Sequence, residues 1–365
     1  MPTKPYTTAG FDYNTSRVSD DLDTIKNNFE HIQSVIIETN TPPAQAVEGQ
    51  IYLDANAKDF LRYNSTTGTW ERFTYSYLNG VNFKNKIING DFSIWQRGTS
   101  FTGVGYTVDR WRYDTDTDDT VSITQKTTTG TEPFNSQYFV NISLTAGTTG
   151  TYNKFSTRLE FPKLYFGKTY TLSFYAKSDV AASITTKLAF VFSGTEYNPV
   201  SKSVNIGTTW QRYTITFTLG TPTGFTESGS DYLDVTFLLP VLTNVSIEIA
   251  EVQLEEGNVA TDFEYVPYDI QLLRCMRYYR VFDKVRCVRV SSSGNYGGQA
   301  PPHIYIGDMR ATPTLTATLI EDPYARGQYT AAVTDLNNGF IIPHNDNLVN
   351  VGDWTSHIIT ADAEL

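Results

Sequence analysis

Cysteine and histidine are scarce in this chain, basic charge is in deficit, and no long apolar run occurs. Its 2 cysteines, Cys275 and Cys287, make neither a disulfide framework nor a thiolate metal spacing in 365 residues, so synthesis in a reducing cytoplasm is expected. His31, His303, His344 and His357 are too scattered for a zinc motif. A formal charge of −11 argues against nucleic acid, whose phosphates need clustered cations. The one basic cluster, Arg274, Arg277, Arg280, Lys284, Arg286 and Arg289, reads as a solvated or interface helix face. No segment is long enough for membrane insertion, and the opening MPTKPYTTAGFDYNTS lacks the apolar stretch of a secretory signal. Nucleophile elbow, phosphate loop and dinucleotide fingerprint are all missing. Glu255 and Glu256 are neighbours, so on a strand they point to opposite faces and cannot form a facing carboxylate pair. The expectation is a protein that is no enzyme and carries no cofactor.

What is present is β structure behind a short helical seam. Val18, Leu22, Ile25, Phe29, Ile32 and Ile36 follow a 4, 3, 4, 3, 4 spacing among polar residues. So narrow an apolar stripe needs partner helices, and its β-branched column (Val18, Ile25, Ile32) favours three or more strands over two. The alternative is an amphipathic helix packed on its own sheet. Residues 1–16 read as an extended docking arm, 17–40 as a trimeric coiled coil and 41–84 as a small β meander. Residues 85–268 hold run after run of period-two alternation, among them Tyr170, Leu172, Phe174, Ala176 and Leu233, Val235, Phe237, Leu239, which predicts a jelly-roll sandwich. The phase of the run slips after Ile249, which predicts a bulge. Asp269 is expected to cap a linking helix over 269–284, with Leu272, Leu273, Met276 and Tyr279 buried, and 285–365 to form a separate small β tip. The fold class is mainly β.

At the residue level, Trp95, Trp111 and Trp210 read as core, with Arg110 and Arg112 turned outward and Asp109 paired to Arg97 or Arg110. Asp114, Asp116, Asp118 and Asp119 read as a solvated acidic turn. Sugar recognition needs flat aromatic faces beside convergent polar groups, usually on loops. The richest such sets are Asn295, Tyr296, Gln299, His303 and Tyr305; then Tyr324, Arg326 and Tyr329; then His344, Asn345, Asp346, Asn347 and Trp354.

The segment NKIINGDFSIWQRGTSFTGVGYTVDRWRY (Asn85–Tyr113) resembles the opening of a sandwich module of bacteriophage tail-fibre proteins, and QLEEGNVATDFEYVPYDIQLLRCMRYYR (Gln253–Arg280) resembles its close. MRATPTLTATL (Met309–Leu319) is similar to the start of the carboxy-terminal domain of such fibres, and GQIYLDANAKDFLRYNSTTGTW to a short tail adaptor. The module is similar in architecture to jelly-roll carbohydrate-binding modules. The resemblance implies a homotrimeric virion tail fibre, docked on other tail proteins by its amino-terminal arm, that attaches to a bacterial surface glycan. A purely structural adaptor or head-decoration fibre, and a polysaccharide-degrading tailspike, are the alternatives. Modules of this kind sometimes hold a structural calcium ion between first and last strands, for which Asn89, Asp91 and Glu251 are the oxygen donors.

Overall fold

The computed structural model describes residues 36–39, 51–54, 59–64, 68–72, 83–288, 304–305, 309–321, 332–335, 340–344 and 354–365. The chain divides into two compact units, Met1–Val81 and Asn82–Leu365.

In the first unit, β1 (Ile36–Thr39), β2 (Ile51–Asp54), β3 (Asp59–Asn64) and β4 (Thr69–Arg72) lie in that order in one sheet. Strands β2 to β4 are the expected antiparallel meander, with Tyr63 opposite Trp70 and their rings 5.3 Å apart. Strand β1 pairs in parallel with β2, Ile36 facing Ile51. This corrects the reading of Ile36 as a rung of the helical seam: Ile36, Ile37 and Thr39 are all β-branched, which favours the pleated form. Val18, Leu22, Ile25, Phe29 and Ile32, and the arm 1–16, lie outside the described residues.

The second unit contains the sandwich. Its front sheet has the order β13 (Thr195–Ile206), β12 (Ala182–Phe192), β15 (Tyr232–Leu239), β10 (Asn153–Glu160), β7 (Trp111–Thr115), β6 (Gly105–Tyr106). Its back sheet has the order β14 (Gln211–Thr218), β11 (Thr169–Ser178), β16 (Val245–Glu256), β9 (Tyr138–Thr145), β8 (Thr120–Thr127), β5 (Ser100–Phe101). All these pairings are antiparallel, and the chain crosses repeatedly from one sheet to the other, the path of a jelly roll.

Period-two alternation decides what lies between the sheets. In register, Phe155 faces Phe237 on one side and Tyr113 on the other, all three buried. Trp111 stacks on Phe155 at 4.9 Å, and Phe174 of the back sheet meets Phe237 edge-on at 4.9 Å. Trp95 is partly buried against this core, and Trp210 belongs to a satellite cluster with Phe134, Phe139 and Tyr175 on the outside of the back sheet. Burial of each such ring contributes about 1.5–3 kcal/mol.

The predicted bulge is present. Ser173 pairs with Gln253 and Tyr175 with Ala250, so Glu251 and Val252 together oppose Phe174. Glu251 adopts φ 48°, and the Val252 N–H donates to the Gly90 carbonyl at 2.8 Å. Gly90 has no alternative here, because a Cβ at that position would stand 2.0 Å from the Val252 oxygen.

In the acidic turn Asp116 and Asp118 are exposed, as expected, and Asp119 is buried. Asp116 accepts from the Thr151 and Tyr152 N–H groups, Asp118 from Thr148 and Thr149, and Asp119 from Gly147 and Leu242. These carboxylates clamp the loop that enters β10.

Helix α1 (Tyr268–Met276) follows, with Pro267 rather than Asp269 at its N-cap. Its orientation reverses the expected one. Gln271 and Cys275 face the sandwich, Leu273 is 62% exposed, and Leu272 and Met276 are only partly covered. Polar partners explain the inversion: the Gln271 amide reaches Asp91, and small Cys275 lets the helix approach closely. Tyr279 starts β17 (Tyr279–Val288). The remaining strands, β18 (Ile304–Tyr305), β19 (Thr314–Glu321), β20 (Ala332–Asp335), β21 (Phe340–His344) and β22 (Trp354–Asp362), form two three-stranded sheets, β17-β22-β19 and β18-β21-β20.

The sheet β17-β22-β19 is joined to the sandwich by charge. The Arg97 guanidinium lies 3.3 Å from both Asp362 and Glu364 and 3.7 Å from Asp109, while Arg110 grips the same Glu364. Arg97 stacks over Tyr279 at 3.6 Å and Arg110 over Tyr278 at 3.4 Å. Arg110, expected to face outward, is 2% exposed; its φ of 72° turns the side chain into this joint.

Candidate functional site

The two outer faces of the sandwich differ. On the back sheet the chain folds over its own strands. Glu255 accepts from Thr261 N–H and Oγ1, and Gln253 from the Glu264 N–H. Glu251 accepts from Asn135 N–H, Ser136 N–H, Ser136 Oγ and the Tyr265 hydroxyl.

On the front sheet, register brings polar side chains into cross-strand rows. One row runs Tyr106, Arg112, Ser156, Thr236, Lys187. Beside it lie Asp114, Lys154, Leu238, Thr185 on one flank and Arg158, Asp234, Ala189 on the other, followed by Glu160, Tyr232, Val191. The acids are mostly neutralised in place. Lys154 Nζ is 2.5 Å from Asp234, Lys187 Nζ 2.7 Å from Glu196, and Arg112 3.4 Å from Asp114. Glu160 is held by Arg277 at 3.2 Å and by the Tyr278 hydroxyl at 2.9 Å. Arg158 differs. It stacks over the Tyr232 ring at 4.5 Å, and its Nη1, with the Tyr106 hydroxyl at 2.7 Å, donates to the Leu365 carbonyl.

Among the described residues nine buried side-chain polar atoms have no hydrogen-bond partner, and four belong to this face: Arg112 Nε, Ser156 Oγ, Arg158 Nε and Asp234 Oδ1. Asp234 and Thr236 are 0% exposed and Ser156 1%. A buried polar group without a partner costs about 1–3 kcal/mol. The inner side of the sheet is filled by Trp111, Phe155 and Phe237, so partners for these atoms can come only from the open side, past the flexible arms of Lys154 and Lys187. Burial first, then Glu364, pushes the Tyr106 hydroxyl up to about 12, and burial raises that of Tyr232. Both phenols therefore stay protonated at neutral pH, as donors with an aromatic face. The arrangement suits a ligand rich in hydroxyl and oxygen groups.

Below Glu160 the face runs into a cleft of about 360 Å³ lined by Phe161, Leu164, Phe192, Asp231 and Arg310 among others. Phe161 holds φ 57°, which turns its ring outward to 66% exposure.

Those of the residues singled out from sequence that are described lie in other sheets. Tyr305 ends β18 and His344 ends β21, in one sheet, whereas Trp354 opens β22 in the other. Asn295, Tyr296, Gln299, His303, Tyr324, Arg326, Tyr329, Asn345, Asp346 and Asn347 lie outside the described residues. The calcium donors do not form a set. Asn89 spends its amide on the Ile94 and Asp109 carbonyls and the Ile94 N–H, Asp91 accepts from Ser93, and Glu251 is taken by the donors named above. No group of three or more acidic, histidine or cysteine ligands occurs among the described residues, so this donor set does not fit calcium.

The front-face residues do not stand out in the sequence, because the inner apolar alternation makes the outward positions read as ordinary solvent-facing ones. The signal was there: DYLDVTFLL places Asp234 and Thr236 between Leu233, Val235 and Phe237, and NKFSTRLE places Lys154, Ser156 and Arg158 about Phe155.

No protein-family model and no curated protein matches the chain. Among solved structures it is similar to the enzymatically active domain of tailspike protein 4 from bacteriophage CBA120, at 16% identity and TM-score 0.35 over 48% of this chain and 22% of that one. It is also similar to a CBM4 structure, at 20% identity and TM-score 0.29 over 49% of this chain and 100% of that one. A family 11 carbohydrate-binding module from Clostridium thermocellum, in complex with a mixed-linked tetrasaccharide, shares 15% identity at TM-score 0.31 over 45% of this chain and 98% of that one.

Proposed function

We propose that this chain is the attachment protein of a bacteriophage tail fibre, which holds a bacterial surface glycan on the outer face of the front sheet without cleaving it. The observation that carries the glycan reading is that face: Ser156 Oγ, Asp234 Oδ1 and the Nε atoms of Arg112 and Arg158 are buried without hydrogen-bond partners, in the cross-strand rows that also hold Tyr106 and Tyr232. Sugars supply many hydroxyls and an apolar ring surface together. The virion setting rests on the resemblance of Asn85–Tyr113, Gln253–Arg280 and Met309–Leu319 to tail-fibre proteins. In this reading the ladder from Val18 to Ile32 gathers three copies, and weak sites repeated on one axis bind by avidity. Residues 1–16 dock on other tail proteins.

The test is sedimentation of the full-length protein with host bacteria before and after periodate, which destroys vicinal diols. Binding is expected to fall at least tenfold after oxidation, and again in Ser156→Leu, whose side chain fills the centre of the face. Binding unchanged by periodate overturns the glycan reading. Polysaccharide incubated with the protein is expected to keep its chain length. Light scattering is expected to give a trimer that Phe29→Ser reduces to monomers.

A further inference from the structure

The front face does not stop at its last row. Glu160, Tyr232 and Val191 close that row, and the next residue on each of their strands, Phe161, Asp231 and Phe192, lines the cleft of about 360 Å³. Ligand sites usually measure about 300–1,000 Å³, so the cleft has the size of a small one. Phe192 makes an apolar floor: it is buried, its ring stacked on Phe225 at 3.9 Å. Every charged side chain that lines the cleft has a partner. Arg277 holds Glu160, Lys163 holds Glu227, and Arg310 donates to the carbonyls of Gly229, Ala363 and Glu364. Asp231 accepts from the Ser193 N–H, the Ser228 N–H and the Ser228 hydroxyl. A carboxylate offers about four acceptor positions, so one of these oxygens can still take a hydroxyl.

Phe161 is the residue that neither core nor backbone accounts for. Alternation turns Ser156, Arg158 and Glu160 outward, so the next side chain should point in. Its φ of 57° and ψ of 58° turn it out instead, beside exposed Leu164. That backbone suits glycine, and a bulky residue adopts it rarely. The turn is closed by the main chain alone, the Leu164 N–H donating to the Phe161 carbonyl at 3.0 Å. The ring adds nothing to that bond; what it adds is a flat wall to the cleft.

Resting on the glycan reading, we propose that the cleft is a further sugar subsite in which Phe161 stacks on an uncharged unit of the same glycan, so that the ligand is an oligosaccharide spanning face and cleft. The apolar side of a sugar ring fits the Phe161 face, while a rim hydroxyl donates to Asp231. With its charges already paired, the cleft offers nothing to hold a charged unit. From Ser156 to Phe161 the chain rises about 17 Å, at about 3.4 Å per residue, a length that several linked sugars fill and a single one does not.

The experiment is calorimetric titration of the full-length protein with fragments of the host's surface polysaccharide, released by mild acid and sorted by length. Long fragments are expected to bind about tenfold less tightly to Phe161→Gly than to the wild type, the loss of one stacked ring face. Fragments too short to reach the cleft are expected to bind both proteins alike. Glycine keeps the left-handed turn, so Tm is expected to hold, and Phe161→Tyr is expected to bind as the wild type does. Long fragments bound equally by wild type and Phe161→Gly overturn the cleft subsite and leave binding on the face standing; so does a loss that is the same at every length. A smaller assembly of Phe161→Gly in light scattering, with affinity per chain preserved, assigns the ring to contact between copies and likewise overturns the subsite. Binding of no fragment of any length overturns the glycan reading itself.

Discussion

Single positions in this protein do work that their residue type alone does not announce. Gly90 is one: its missing side chain admits the Val252 carbonyl, and the same contact anchors the bulge that turns Glu251 toward Asn135 and Ser136. Gly90→Ala is expected to cost about 3 kcal/mol or to displace the first segment, read by urea denaturation of the full chain. Asp109 is another. Burial, opposed chiefly by Arg97, pushes its carboxyl up to about 6 from 3.8. A carboxyl raised on folding binds its proton more tightly in the native state, so it adds stability below pH 4 that is lost as pH climbs through 6. Asp109→Asn is expected to flatten the stability profile between pH 4 and 6, measured by denaturant midpoints across that interval. Asp118 behaves oppositely. The Thr149 N–H, with Thr148, lowers it to about 2, so its share of stability is full above pH 4 and disappears as pH falls through 2.

Elements were legible in the sequence where one face is apolar and the other polar. Strands β11, β12, β14, β15 and β16 fall on the predicted alternations, and the phase slip after Ile249 marks a true bulge. Strand β13 was not legible: Pro199 and Lys202 break its pattern, and they suit a strand that is at the sheet edge among the described residues. Helix α1 was misread in orientation because its buried side is chosen by partners at the sandwich surface, which no local pattern records. The inversion makes a sharp forecast: Leu273→Gln is expected to change stability by no more than about 0.5 kcal/mol, while replacement of buried Cys275 by Ser costs about 1–3 kcal/mol. Thermal unfolding of the two variants side by side separates them. The candidate site was hidden for a related reason. Each of its strands looked like ordinary core alternation, and only register shows that Arg112, Ser156 and Thr236 share a row.

At the scale of the whole second unit, sandwich and terminal sheet are joined by a lattice of charge rather than by a common apolar core. Glu364, 3% exposed at its side chain, lies between Arg97 and Arg110. Glu364→Ala is expected to destabilise the unit by about 3–5 kcal/mol, because it leaves Arg110 buried without a counter-charge; hydrogen exchange of 354–365 should rise before that of the sandwich. Two arginines from different turns of the sandwich grip one carboxylate, and each is also stacked on a tyrosine. A pull on the terminal sheet is thus expected to be carried into the sandwich through ion pairs and ring contacts, so its transmission should weaken as salt rises.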